Sequence, residues 1–209
     1  MADEKTKILI AFYSRDGSVE AMAKGVAEGA KAEGAEVRMR RAKDLVGPDV
    51  MAKVPGWADR SARMEKEYGA PTQEDILWAD GVIFGTPTRF GAVASELKAF
   101  IDSLGALWFQ GKLNGKAGGV FSSTQSMHGG NETTIVTVYN SLAHLGFIIV
   151  PLGYENPIVY KAGSPYGPTT VTGPESKPPT PDRLEAAAHL GKRVTRVASA
   201  LKQAGITPR

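Results

Sequence analysis

Two uninterrupted apolar runs, ILIAF (8–12) and VIF (82–84), constrain this chain most, because helical periodicity surrounds them. A strand without polar alternation is covered on both faces, the pattern of a parallel sheet between helical layers. After the first run, Val19, Met22, Ala23, Val26, Ala27 and Ala30 form one apolar stripe, and Gly34 supplies a helix stop. The pattern predicts strands over KILIAFY (7–13), EVRMRR (36–41), GVIFGTP (81–87), KAGGVFSST (116–124) and FIIVP (147–151). It predicts a helix with Val93, Leu97, Phe100, Ile101, Leu104 and Trp108 on one face. Another runs through Ile135, Val138, Leu142 and Leu145, and a last one through Leu184, Ala187, Ala188, Val194, Val197 and Leu201. Strands alternating with helices imply an α/β, doubly wound parallel sheet. Ligands then bind beyond the carboxyl ends of the strands, which points to segments 14–18, 86–91 and 123–130.

The 209 residues fit one domain, 1–209, with insertions at about 44–71 and 153–181. Within the second, residues 163–181 hold six prolines and three glycines, the composition of a stiff loop over a site or a subunit contact. The chain has no cysteine, which excludes disulfides and thiolate chemistry. No apolar stretch approaches the ~20 residues of a membrane span, and the charged opening MADEKTK lacks a signal-peptide core, so a cytoplasmic location is expected. Net charge is only +3. The densest basic run, RMRRAK (38–43), alternates with Val37 and Met39. It reads as an edge strand with one solvated charged face rather than as a nucleic-acid patch, since no aromatic interleaving accompanies it.

Several chemistries are absent. There is no GxxxxGK[ST] phosphate loop, no GxGxxG dinucleotide turn and no GxSxG elbow, and His128, His144 and His189 lack close metal-ligand spacing. The positive signal is Ser14, Arg15, Asp16, Gly17 and Ser18 between the first strand and its helix. A helix start offers unpaired N–H groups and partial positive charge, two serines add hydroxyls, and glycine permits close approach. Without a lysine, this suits a phosphate monoester held as a handle better than one being transferred. GTPTRFG (85–91) and SSTQSMHGGNETT (122–134) add turns rich in backbone and hydroxyl groups at the same sheet edge. A phosphate handle with a planar heteroaromatic ring describes flavin mononucleotide, FMN.

From FGTPTRFG (84–91), GALW (105–108), GKAGGVFSST (115–124), LAHLG (142–146), IVPLGY (149–154) and SPYGPTTVTG (164–173), the chain resembles the WrbA-type NAD(P)H:quinone oxidoreductases, flavodoxin-like proteins, over about residues 7–203. The resemblance implies a three-layer flavodoxin-like fold with a five-stranded parallel sheet in order 2-1-3-4-5. It implies FMN as cofactor, NADH or NADPH as co-substrate, a small-molecule quinone as acceptor and a homotetramer. Ser14, Arg15, Asp16, Gly17, Ser18 and Val19 would hold the FMN phosphate. Thr86, Pro87, Thr88, Arg89 and Phe90 would contact ring and ribityl chain, and Ser123, Thr124, Gln125, Ser126, Met127, His128 and Gly129 the pyrimidine edge. His144 would sit at the flavin and, with Tyr154, hydrogen-bond the quinone oxygens, while Trp108 would wall the substrate cavity.

The first loop departs from the family's S-x-Y-G-H. Asp16 stands at an aromatic position linked to the nicotinamide cofactor, and Ser18 at a histidine. A carboxylate beside a phosphate is unfavourable, so Asp16 is expected to point to solvent. The implied reaction is a two-electron ping-pong exchange that reduces quinone to quinol. A one-electron flavodoxin-like carrier and an FMN-binding regulatory protein are the alternatives.

Overall fold

The structure, a computed structural model, describes residues 4–206. Met1, Ala2 and Asp3 of the charged opening lie outside it, as do residues 207–209. Strands β1 (Lys7–Phe12), β2 (Glu36–Arg41), β3 (Gly81–Arg89) and β5 (Ala117–Thr124) form the sheet with a split outer lane, β6 (Ile148–Ile149) and β7 (Thr169–Val171). The order is β2-β1-β3-β5-β6, all parallel, which is the expected 2-1-3-4-5 with the fifth lane divided. β7 continues that lane beside Ser122–Thr124. A two-residue strand, β4 (Ala92–Val93), folds back antiparallel on the end of β3.

Helices α1 (Ser18–Ala32) and α8 (Pro181–Gln203) cover one face. The other carries α4 (Gln73–Trp78), α5 (Ser95–Asp102), α6 (Gly105–Phe109) and α7 (Asn131–His144). The strand residues feed two cores. Ile8, Ile10 and Phe12 pack beneath α1 and α8, whereas Leu9, Ala11 and Tyr13 face the other layer. That is the period-2 alternation of a strand whose two faces are both apolar. Among the described residues, no helix is long and apolar enough to cross a membrane.

The structure departs from or extends the sequence reading at four points. FIIVP yields only two strand residues because Pro151 has no N–H for the ladder and Gly153 turns the chain at φ 64°. The helix expected through Trp108 breaks at Ser103–Leu104 into α5 and α6, where Ser103 Oγ donates to Phe100 O. Leu104 is buried and Trp108 is half exposed. The 44–71 insertion is helical, as α2 (Pro48–Met51) and α3 (Trp57–Tyr68). Nor is the charged face of β2 simply solvated. Arg40 Nε donates to Asp75 at 3.0 Å, and Arg38 lies 3.9 Å over the Trp78 ring.

Two features set the spacing of this layer. α1 and α8 touch at glycines: a Cβ on Gly29 would meet Ala188 O at 1.9 Å, and one on Gly191 would meet Val26 O at 2.1 Å. Glu20 of α1 is buried under the insertion. It receives a two-pronged Arg63 bond at 2.9 and 2.5 Å and the Tyr68 hydroxyl at 2.7 Å. Burial alone would raise its pKa, but Arg63, Tyr68 and Lys24 outweigh it and hold the carboxyl down to about 2.

Gly29→Ala is expected to cost about 3 kcal/mol in urea denaturation, since backbone cannot yield as a side chain does. Gly105→Ala, whose Cβ meets nothing within 4 Å, stays within about 0.5 kcal/mol. Glu20 is lowered on folding, so its contribution is present above pH 4.5 and lost as pH falls towards 2. Glu20→Gln therefore costs about 1–2 kcal/mol at pH 7, a difference that closes by pH 2. Urea midpoints measured across that range check it.

Candidate active site

The carboxyl ends of β1, β3 and β5 open into a cavity of about 440 Å³. Arg15 and Asp16 form one wall and Pro87, Thr88, Arg89 and Phe90 a second. Ser123, Thr124, Gln125, Ser126 and Gly129 form the third. The three segments expected at the sheet edge therefore meet. The cavity has a fourth side, Thr172 and Ser176, which come from the proline-rich 163–181 segment expected to cover a site or a subunit contact. Sequence reasoning had not singled out these two residues. The segment reaches the site because β7 pairs with the end of β5.

Several of the expected hydroxyls are engaged in holding the walls. Thr86 Oγ1 donates to Pro87 O and accepts the Ala94 N–H at 3.0 Å. Thr88 Oγ1 donates to Gly129 O, and it accepts the Gly91 N–H and the Thr134 hydroxyl. Thr88 thereby ties wall two to wall three, while Thr86 ties wall two to Ala94 at the start of α5. Thr86 is fully buried, so the backbone and the side chains of Pro87, Arg89 and Phe90 present themselves to a ligand instead. Phe90 is fully exposed at φ 53°, a left-handed conformation that costs a non-glycine residue about 1 kcal/mol. Met127 and His128 are exposed at the loop tip and do not line the cavity. At the start of α7, Asn131 is 5% exposed. Its amide N–H reaches Thr124 Oγ1, whose own proton goes to Ser126 O, and its Oδ1 has no partner among the described residues.

The first wall is the turn between β1 and α1. Ser14 Oγ accepts the N–H groups of Gly17 at 3.2 Å and Glu20 at 3.3 Å. Gly17 holds φ 100° with open space where a Cβ would be. Ser18 and Val19 are buried, with Val19 in the core, so its N–H is what it can offer a ligand. Asp16 does not point to solvent as expected. Its Oδ1 takes the Ser18 N–H at 3.0 Å and the Ser18 hydroxyl at 2.7 Å. The reason is local: unpaired donors at a helix start attract the nearest anion.

A buried pair fixes this wall from beneath. Arg41 donates twice to Ser14 O, at 3.1 and 2.9 Å, and to Asp44 at 2.7 Å. Asp44 also accepts from Tyr13, Trp57 and Ser61. Burial would raise its pKa, but Ser61, Arg41 and Tyr13 outweigh it and hold the carboxyl below its ordinary value. Above the turn, the Arg15 guanidinium lies 5.4 Å from the Trp57 ring centre, and Arg60 donates to Arg15 O. The insertion thus braces the turn. Neither Arg15 nor Arg89 is paired with a carboxylate among the described residues.

Within one chain, His144, Trp108 and Tyr154 do not line this cavity. His144 ends the 14-residue helix α7, about 20 Å from Asn131 at its start. With Trp108, Ile101 and Ser141 it lines a separate cavity of about 290 Å³. Tyr154 is half exposed on the 153–167 excursion, its ring 5.5 Å from that of Tyr160. Their expected place at the flavin came from the family resemblance and not from the spacing of the residues.

A parallel sheet with a cavity of this build at its carboxyl edge defines a flavodoxin-like α/β protein. The chain belongs to the NADPH-dependent FMN reductase family, whose model matches residues 6–155. It is 40% identical over 200 residues to an NAD(P)H dehydrogenase (quinone) of Rhodopseudomonas palustris, covering 92% of this chain and 96% of the relative. It is 42% identical over 203 residues to one from Bradyrhizobium sp. (strain ORS 278), covering 94% and 98%. Among solved structures, a WrbA-like flavodoxin from Agrobacterium tumefaciens superposes with a TM-score of 0.64 at 26% identity, covering 93% of this chain and 98% of the other.

Asp44→Ala strands the Arg41 charge in the core. It is expected to lower stability by about 3 kcal/mol, read from the urea midpoint at unchanged slope.

Proposed function

We propose that this chain is an FMN-dependent NAD(P)H:quinone oxidoreductase. The observation that carries the reading is the 440 Å³ cavity closed by the turns after β1, β3 and β5, in a chain of the FMN reductase family. The residues fit the cofactor. Ser14 is fully buried, its oxygen accepts two N–H groups, and its proton goes to no acceptor among the described residues. That proton and the N–H groups at the start of α1 would hold the phosphate. Pro87 and Phe90 offer an apolar flank to a flat ring. The wall at Ser123–Gly129, with the unmet Asn131 Oδ1 behind it, offers polar groups to the ring's hydrogen-bonding edge.

Bound there, FMN supplies the hydride chemistry between NAD(P)H and quinone, which side chains alone do not perform. The protein's part is to orient and to bias charge. The start of α7 lies against the third wall, and its dipole favours negative charge on that side. Nicotinamide and quinone would use the one opening in turn, hence ping-pong kinetics. His144, Trp108 and Tyr154 reach a flavin only from a neighbouring copy. The half-exposed Trp108 and exposed Phe109 beside the second cavity suit burial between protomers of a homotetramer.

Purified protein is expected to show the absorption bands of oxidised flavin, bleached by NADH or NADPH and restored by benzoquinone. Initial rates at several quinone concentrations should give parallel double-reciprocal lines. Protein that neither carries nor takes up FMN sinks the reading. His144→Ala is expected to lower kcat/KM for quinone about tenfold with FMN content unchanged. Steady-state rates and the flavin-to-protein absorbance ratio check it.

A further inference from the structure

The strongest donors at the start of α1 already have an anion, and it belongs to the chain. Asp16 Oδ1 takes the Ser18 N–H and the Ser18 hydroxyl at 3.0 and 2.7 Å, with Ser18 only 6% exposed. These are the groups a phosphate at this turn requires. A second observation points to an anion from outside: the buried Ser14 proton without an acceptor. Asp16 serves Ser18 and leaves Ser14 unserved. A phosphate, with three terminal oxygens, reaches both.

We propose that Asp16 is a tethered competitor for the phosphate of FMN and sets how far this protein discriminates FMN from riboflavin. The inference rests on the FMN reading above. Asp16 neutralises the helix start through these two bonds. To admit the phosphate, the carboxylate rotates out, because two anions cannot share one set of donors. Arg15 and Arg89, both on the cavity wall and free of carboxylate partners among the described residues, are placed to take the displaced charge. Riboflavin has no phosphate and leaves Asp16 where it is. Competition therefore weakens FMN alone, and the gap between the two flavins is narrower than the open phosphate site would give.

The ordinary alternative is that Asp16 merely caps the turn, in which case its loss weakens both flavins alike. Dissociation constants for FMN and riboflavin, measured by quenching of flavin fluorescence on the full chain freed of flavin, separate the two. Asp16→Asn keeps the cap bond and removes the charge, while Asp16→Ser keeps a small polar cap. Both are expected to tighten FMN about tenfold and leave riboflavin within about twofold. Weaker FMN binding in both variants, or equal changes for the two flavins, overturns the proposal and leaves the FMN reading standing. Binding of neither flavin by any form, the unmodified chain included, overturns both.

Discussion

The buried bond between Arg41 and Asp44 is the constraint from which the working end of this molecule is organised. Each side chain is 2% exposed. Taking two charges out of water costs several kcal/mol per ion, and their attraction offsets this only when the remaining hydrogen-bonding groups are satisfied. Here they are. Asp44 receives Tyr13, Arg41, Trp57 and Ser61, and Arg41 also grips Ser14 O. Those partners come from the ends of β1 and β2 and from the insertion. The network closes only when edge strand, turn and insertion are in register. The turn's shape therefore depends on the edge strand and the helical insertion as well as on its own sequence.

The same logic divides the molecule along α7. Its start abuts the cavity, and its end carries His144 into a different one. A 14-residue helix is a rod about 20 Å long, and no side-chain rotation spans that. A role for His144, Trp108 or Tyr154 at the flavin is therefore a statement about association between chains. The exposed aromatics at that end of the rod give association something to bury.

The layered fold was legible because both-face burial writes itself as apolar runs, and ILIAF and VIF needed no partner to be read. The sheet edge was legible for the same reason, since parallel strands send their following turns to one side. The split fifth lane was not, because FIIVP shows apolar residues and hides the effect of Pro151 and the turn at Gly153 on the ladder. The fourth wall was legible only as a stiff loop over a site or a subunit contact, since Thr172 and Ser176 reach the cavity through strand pairing across some fifty residues. Arg41 and Asp44 looked like ordinary charges at the end of an edge strand. Their burial depends on Trp57 and Ser61 arriving from an insertion whose path sequence does not announce.

Asp16 shows a different limit. Like-charge repulsion, argued with a phosphate in view, sends its carboxylate to solvent. The helix start is itself a demand for negative charge, and Asp16 meets it by accepting the Ser18 N–H at 3.0 Å and the Ser18 hydroxyl at 2.7 Å. The first argument assumes a phosphate at the turn, and the second rests on the turn's own donors. A residue whose preferred position reverses with the ligand is part of the binding equilibrium. It lowers the free energy of the empty site by what its own hydrogen bonds contribute, and the ligand gains only the difference. A lysine in the turn would have drawn the phosphate in. A carboxylate would make the phosphate compete, as proposed, and the grip on FMN would then fall more to the ring's contacts with walls two and three.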